Sequence, residues 1–479
     1  MLNPIRNHGL VLLAVILCAP ALGAQETDPA KNDPREQPAA PYPAPLPAGS
    51  TSVLALNSPD GSDTDVQGGG NNRPLSGVQE PTLGPALGAS NFLVPSINVM
   101  SQMSTSSSSS GYGEPTAFSY LLGTLDLNRV SERSELLLHY TGGGMLSSYV
   151  NSAIQDLEFS YNFKWQRWSL LFGDQVSYLS ESPFGFGGVG GLAFLNGDSQ
   201  LGNFLNGYLT PNQTIPTIMV PRLSNTVVSQ IEYKLSQRSS WTASGSYGLL
   251  NFFGAGFINS TAGGFQTGYN YALSPQSSMA VIYRFDDFRY THLPVGVEDH
   301  VVEIGYARYV TGRLSFQFAA GPSFIMLQGV PAGSANSLSW AVASSLNYQL
   351  DRAKLLISYD RYVTGGSGVL FGAQTGQIEA TMERRLSPKW NGSVSMGYAT
   401  NRGLIPAVAA LSTQNYNSWY AVLRFSHQYR PGTAFFASYG ARLQALNGAT
   451  CGTPSCTTNF VSHELSAGFN FGLRPILFR

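Results

Sequence analysis

From Asn91 onward the chain is written in a period of two, and that period dictates extended strands with two unlike faces. Between Ile154 and Phe163, the residues Leu157, Phe159, Tyr161 and Phe163 fall on one face, and Asp156, Glu158, Ser160 and Asn162 fall on the other. The same opposition runs through 226–235, 338–350, 374–385, 417–428 and 460–473. Beyond the N-terminus no stretch is apolar for the ~20 residues that a membrane-crossing helix needs. Any passage through a bilayer therefore has to be made by strands that satisfy one another's backbone.

Composition says what the two faces meet. Charged residues make up 11% of the chain, against ~25% in ordinary soluble domains, while aromatic residues reach 12% and glycine numbers 52. One face suited to lipid and one to water accounts for that balance. The net charge of -1 gives no electrostatic ground for a nucleic-acid partner.

Eighteen such segments can be placed between 92–102 and 459–473, with sixteen as the runner-up count. Tight turns such as Thr311-Gly312, Asp351-Arg352 and Ser387-Pro388 follow the even-numbered segments, and longer loops follow the odd-numbered ones. Trp165, Trp168, Trp241, Tyr348, Trp390 and Tyr429 fall beside the short turns, where an interfacial girdle belongs. The expected fold is all-β: a transmembrane antiparallel β-barrel over 91–479, with short turns on the periplasmic side.

Two segments precede it. Arg6 and His8, the apolar run Leu10 to Ala19 and the small residues Ala21, Gly23 and Ala24 have the layout of a secretory signal over 1–24. Residues 25–90, including PREQPAAPYPAPLP at 34–47, are too rich in Pro, Gly and Asp to bury a core. A disordered periplasmic leader is expected there, with docking to a periplasmic partner or entry into the lumen as alternatives.

The chain end carries a motif. Ser466, Gly468, Phe471 and Leu473 are spaced as a polar residue, a glycine two places on, and hydrophobic residues three and five places after it. This resembles the terminal-strand signal by which the barrel-assembly machinery recognises Gram-negative outer-membrane proteins. The resemblance implies that machinery as a partner in biogenesis, and outer-membrane lipid and lipopolysaccharide as surroundings. Many members of that group end on an aromatic, whereas this chain continues to Arg479.

Eighteen strands with small and polar lumen residues are similar to a porin, and a barrel of that size can keep a wet interior. The longest loop, 179–223, follows the fifth strand, where general porins carry the loop that narrows the pore. Pro183, Phe186, Gly187 and Gly188 resemble the Pro-Glu-Phe-Gly-Gly turn of that loop, without its Glu. The resemblance implies passage of small polar solutes past a constriction, for which Phe184, Phe186, Phe194 and Asp198 are the candidates.

Charges expected on the lumen face are Asp126, Asp156, Glu158, Glu232, Lys234, Arg284, Asp286, Glu303, Asp360, Glu379, Glu383, Arg424, Arg442 and Glu464. Carboxylates outnumber cations ten to four, which leans toward cations as solutes. Internal ion pairs bracing the wall are the competing reading.

Chemistry finds little support. The six histidines lack neighbouring Ser and carboxylate motifs and lack metal-ligand spacing, so no catalytic, cofactor or metal residue is assigned. A plugged structural or adhesive barrel and an outer-membrane lipid-modifying enzyme remain as alternatives. Beyond Cys18 in the signal, Cys451 and Cys456 are an even pair in an exported chain, and a disulfide is expected between them.

Overall fold

The computed structural model describes residues 91–108, 111–112, 115–147, 151–179, 221–254, 257–274, 276–291, 293–329, 336–366, 368–405, 415–430, 432–447, 459–473 and 476–477. The expected signal and leader, the constriction candidates Phe184, Phe186, Phe194 and Asp198, and the pair Cys451 and Cys456 lie outside these residues.

Eighteen long strands appear among the described residues: β1 (Phe92–Ser108), β2 (Thr116–Val130), β3 (Ser134–Ser147), β4 (Ser152–Lys164), β5 (Trp168–Leu179), β6 (Arg222–Lys234), β7 (Ser239–Phe252), β8 (Ser260–Ser274), β9 (Ser277–Tyr290), β10 (Gly296–Thr311), β11 (Leu314–Gln328), β12 (Ser337–Gln349), β13 (Ala353–Thr364), β14 (Ala373–Ser387), β15 (Trp390–Gly403), β16 (Asn415–Arg430), β17 (Thr433–Asn447) and β18 (Asn459–Gly472). Each pairs antiparallel with its sequence neighbours, and β18 pairs with β1 from Gly472↔Ser96 to Phe460↔Ser108. The sheet is therefore a closed barrel, and closure removes the open edges that lipid cannot tolerate.

The faces separate as the alternation requires. Leu121, Leu157, Phe172, Ile304, Phe318, Ile378, Trp419 and Leu465 are exposed on the outside. Asn98, Asp156, Glu158, Gln230, Thr242, Asp286, Asp360 and Gln377, of opposite parity, are buried on the inside. An apolar outer belt around an antiparallel barrel with an even number of strands is the architecture of bacterial outer-membrane proteins.

Serine and threonine hydroxyls build most of the short turns. Ser131 and Ser134, Ser236 and Ser239, and Ser274 and Ser277 face each other across three of them at 2.7 to 2.8 Å, each pair three residues apart. Thr311 Oγ1 accepts from the Leu314 amide at 3.0 Å, and Ser387 Oγ from the Trp390 amide at 3.2 Å, at the same offset. These bonds satisfy the amides left over where the ladder ends. Beside the turns Trp168 stacks on Tyr233 at 4.3 Å and Trp390 on His427 at 4.5 Å, which places the girdle where the sequence puts it.

β1 and β3 run furthest beyond their sequence pattern. β3 continues through Gly142–Gly144, a run that reads as a loop, because Gly142 pairs with both Gly123 and Gln155. β1 continues through its serine run to Ser108, held by β18. At the other end Leu473 lies one residue past β18, yet its amide still bonds the Pro95 carbonyl at 2.9 Å, and Ile476–Leu477 pairs again with the start of β1.

Candidate functional site: the lumen wall

All fourteen charges expected on the lumen face have inward register. They fall into unlike groups. Arg284 lies 3.1 Å from Asp286 and 3.6 Å from Glu303, while Asp299, opposite Asp286 in the register, accepts from Ser323 Oγ at 2.6 Å. One guanidinium thus serves a cluster of three carboxylates. Arg442 lies 3.3 Å from Glu464, which also accepts from Gln102 at 3.1 Å, tying β17, β18 and β1 together at the closing seam. Arg424 sits 5.0 Å above the Phe436 ring. For Arg284 and Arg442 the bracing ion pairs are real.

Elsewhere the wall sets carboxylates beside histidine, hydroxyl and amide groups. A single register row carries Asp126, His139, Glu158 and Gln175 across β2 to β5. His139 Nδ1 bonds Asp126, its Nε2 is 3.0 Å from Thr141 Oγ1, and Gln175 donates to Glu158 at 3.1 Å. Asp156, opposite Thr141, is 3% exposed. Across the barrel Glu379 accepts from the Tyr420 hydroxyl, and Asp360 lies one register step away on β13. Glu232 receives Ser169 Oγ at 3.4 Å. Toward the periplasmic end the charges alternate in sign, with Lys354 directly opposite Glu383, and Lys234 two residues from Glu232.

The order Asp126, His139, Thr141 has the outline of a charge relay, yet Thr141 is fully buried. A nucleophile has to reach a carbonyl, and Thr141 has no exposed surface from which to do so. His463 bonds the Tyr439 hydroxyl at 2.8 Å on the outer surface, and His300 bonds that of Tyr283 at 2.9 Å. Among the described residues no three His, Cys, Asp or Glu side chains gather as metal ligands.

The terminal motif also acquires a geometry. Ser466 faces Ser438 at 2.6 Å. Gly468 lies inward, where a Cβ would come within 2.5 Å of the Val99 carbonyl and 2.7 Å of the Phe436 ring. Phe471 and Leu473 point outward on the lipid side.

A constriction is present that sequence reasoning missed. The short link between β13 and β14 folds into the lumen instead of standing out from it. The Ile258 amide, beyond β7, donates to the Gly368 carbonyl at 2.9 Å, and Phe371 meets Tyr290 edge-on at 5.4 Å. Val297, Phe288, Tyr290, Ile325, Val363 and Ile405 form a buried interior cluster, with Phe371 and Leu404 packed against it. Gly366, Gly368 and Gly372 have positive φ, and a Cβ at Gly368 would fall 2.2 Å from the Phe252 ring. Only glycine permits this backbone at that contact. Clustered glycines in a short external link are the one signal the sequence held.

No protein-family model and no curated protein sequence matches the chain. In structure it is similar to Pseudomonas aeruginosa OccK2 in complex with glucuronate (8% identity, 80% of this chain and 98% of that one, TM-score 0.44). It is likewise similar to the P. aeruginosa outer membrane protein OpdK (8%, 80% and 99%, 0.41) and to Acinetobacter baumannii OccAB4 (9%, 80% and 99%, 0.42). At these values the likeness carries no argument, and the barrel rests on its own strand pairing.

Proposed function

We propose that the chain is an outer-membrane channel for small polar solutes, with cations preferred. The observation that carries this is the division of the interior. The link between β13 and β14 and its apolar cluster close one side of the outer mouth, while β2 to β6 leave a polar wall bearing Asp126, Asp156, Glu158 and Glu232. Of these Asp126 is the carboxylate a solute would meet, its side chain 44% exposed, while Asp156, Glu158 and Glu232 act on it through their field, little screened in a low-dielectric frame. The extracellular loop 179–223 narrows the same passage in this reading.

The test is a planar bilayer with a potassium chloride gradient. A reversal potential of the sign for cation preference is expected, moving toward zero in Asp156→Asn/Glu158→Gln with the step size retained. Anion preference in the native chain overturns the assignment of solute class.

A plugged barrel is the second reading, favoured by the near-complete burial of the wall at Thr141, Thr242, Thr375 and Ser418. Absence of current steps from refolded, heat-modifiable protein would select it.

A further inference from the structure

Among the described residues the barrel wall breaks between β12 and β13. Between β12 and β13 the ladder runs from Gln349↔Lys354 to Val342↔Arg361 and stops. Above that point β12 continues through Ser337–Ala341, paired only to β11, and β13 continues through Tyr362–Thr364, paired only to β14. Parity shows where β13 goes. Val363 has the outward register of Tyr359, yet it is 1% exposed and packs in the interior cluster with Ile325 of β11. The top of β13 has turned into the lumen, with β14 still paired to β15 through Ala373↔Gly403, and β12 remains at the wall.

The height and chemistry of the break are specific. Arg361 stands eight residues above Ala353, which is roughly 20 Å at ~3.4 Å per residue and ~45° of tilt, near the outer edge of the apolar belt. Its guanidinium donates to Gln374 Oε1 at 3.2 Å and to Ser339 Oγ at 3.5 Å, both neutral, and Gln374 also donates to Ser339. Outside the break Leu338 and Trp340 are exposed at 66% and 63%, among the most exposed large apolar side chains of the barrel. Inside it lies the apolar cluster closed by the glycine-hinged link, which is the direct continuation of Thr364 and ends at Ala373.

An arginine with neutral partners at a membrane interface suits an anionic head group, and apolar surface on both sides of the gap suits an apolar chain. We propose that the break between β12 and β13 is a lateral portal through which a single-chain amphiphile with an anionic head passes between the outer leaflet and the lumen. Arg361, Gln374 and Ser339 receive the head, and displacement of Phe371, which packs against the apolar cluster, opens that cluster to the chain. The strand ends that form the break also carry the link, so one movement serves both.

The test uses full-length protein in proteoliposomes and decyl sulfate as probe, because its permanent charge keeps it from crossing a bilayer unaided. Ala341→Cys/Tyr362→Cys places thiols where the ladder would continue by one pair, so oxidation staples the wall shut. Entry of decyl sulfate is expected to stop on oxidation and return on reduction, with potassium current unchanged throughout. The current reads the axial passage separately. Arg361→Gln, which decides alone should the thiols not join, is expected to slow entry about tenfold, the size of one charge-assisted hydrogen bond. Undiminished entry in Arg361→Gln, or entry and potassium current falling together, overturns the portal. Lipid A that copurifies in proportion to Arg361, with decyl sulfate entry unaffected, assigns the site to a bound lipid phosphate and also overturns it.

Discussion

Val363 and Ile325 belong to one buried cluster inside the barrel although the strand register of Val363 points it at the lipid. The inward turn of one strand end therefore does two things. It fills part of the outer mouth with apolar side chains, and it leaves the wall beside it unzipped. A straight β13 would have left that side of the mouth unfilled and the ladder to β12 continuous.

The 365–372 link should respond sharply to a side chain at Gly368. There φ is +75°, and a Cβ would lie 2.2 Å from Phe252, so Gly368→Ala costs about 1–3 kcal/mol in the folded-in position. The link is expected to leave the lumen, and single-channel conductance to rise. Adding Phe252→Ala relieves the contact but not the φ strain, so only part of the effect should reverse.

Arg284 is expected to matter for stability. Its removal as Arg284→Met leaves Asp286 and Glu303 buried side by side, a loss of about 3–5 kcal/mol by the behaviour of broken buried pairs. The temperature at which the folded band converts to the unfolded band on electrophoresis should fall. Reversing the balance with Arg284→Met/Glu303→Gln should recover part of it.

Gly468 belongs to assembly through the space it leaves. Gly468→Val drives a side chain against the Val99 carbonyl and the Phe436 ring at the closing seam. Yield of assembled barrel is expected to fall, and Phe436→Ala to rescue it in part, since the Val99 backbone cannot move aside. Full yield in Gly468→Val alone would show that the motif acts only as a recognition sequence.

Cys451 and Cys456 are proposed to be joined in the loop before β18. A short closed loop limits the stabilisation to about 2–3 kcal/mol or less, so the bond should protect the loop from proteolysis rather than hold the barrel. Intact mass after alkylation, with and without reduction, should differ by two labelled thiols.

The alternation of Leu157, Phe159 and Tyr161 with Asp156, Glu158 and Ser160 was enough to place strands and choose their faces. A side-chain period of two cannot be met by any other local structure. Turn chemistry, girdle aromatics and the inward register of the charges followed from the same pattern, because each depends on near neighbours in the chain. Which carboxylates share an arginine did not follow. Arg284 meets Glu303 through the pairing of β9 and β10, and Glu379 meets Tyr420 two strands away, across distances the sequence leaves unspecified.

The inward link lay further still from view. Its glycines permit a positive φ, but whether a loop folds into a lumen depends on the cavity that remains after eighteen strands have closed. Val363 shows the limit most clearly: its parity predicts lipid, and its apolar side chain would suit lipid. The interior cluster offered it a denser apolar contact, and the cost was a few ladder bonds on β12 made up by Arg361, Gln374 and Ser339. Local periodicity determines what a strand can do on either face; only the closed tertiary structure decides where a strand departs from it.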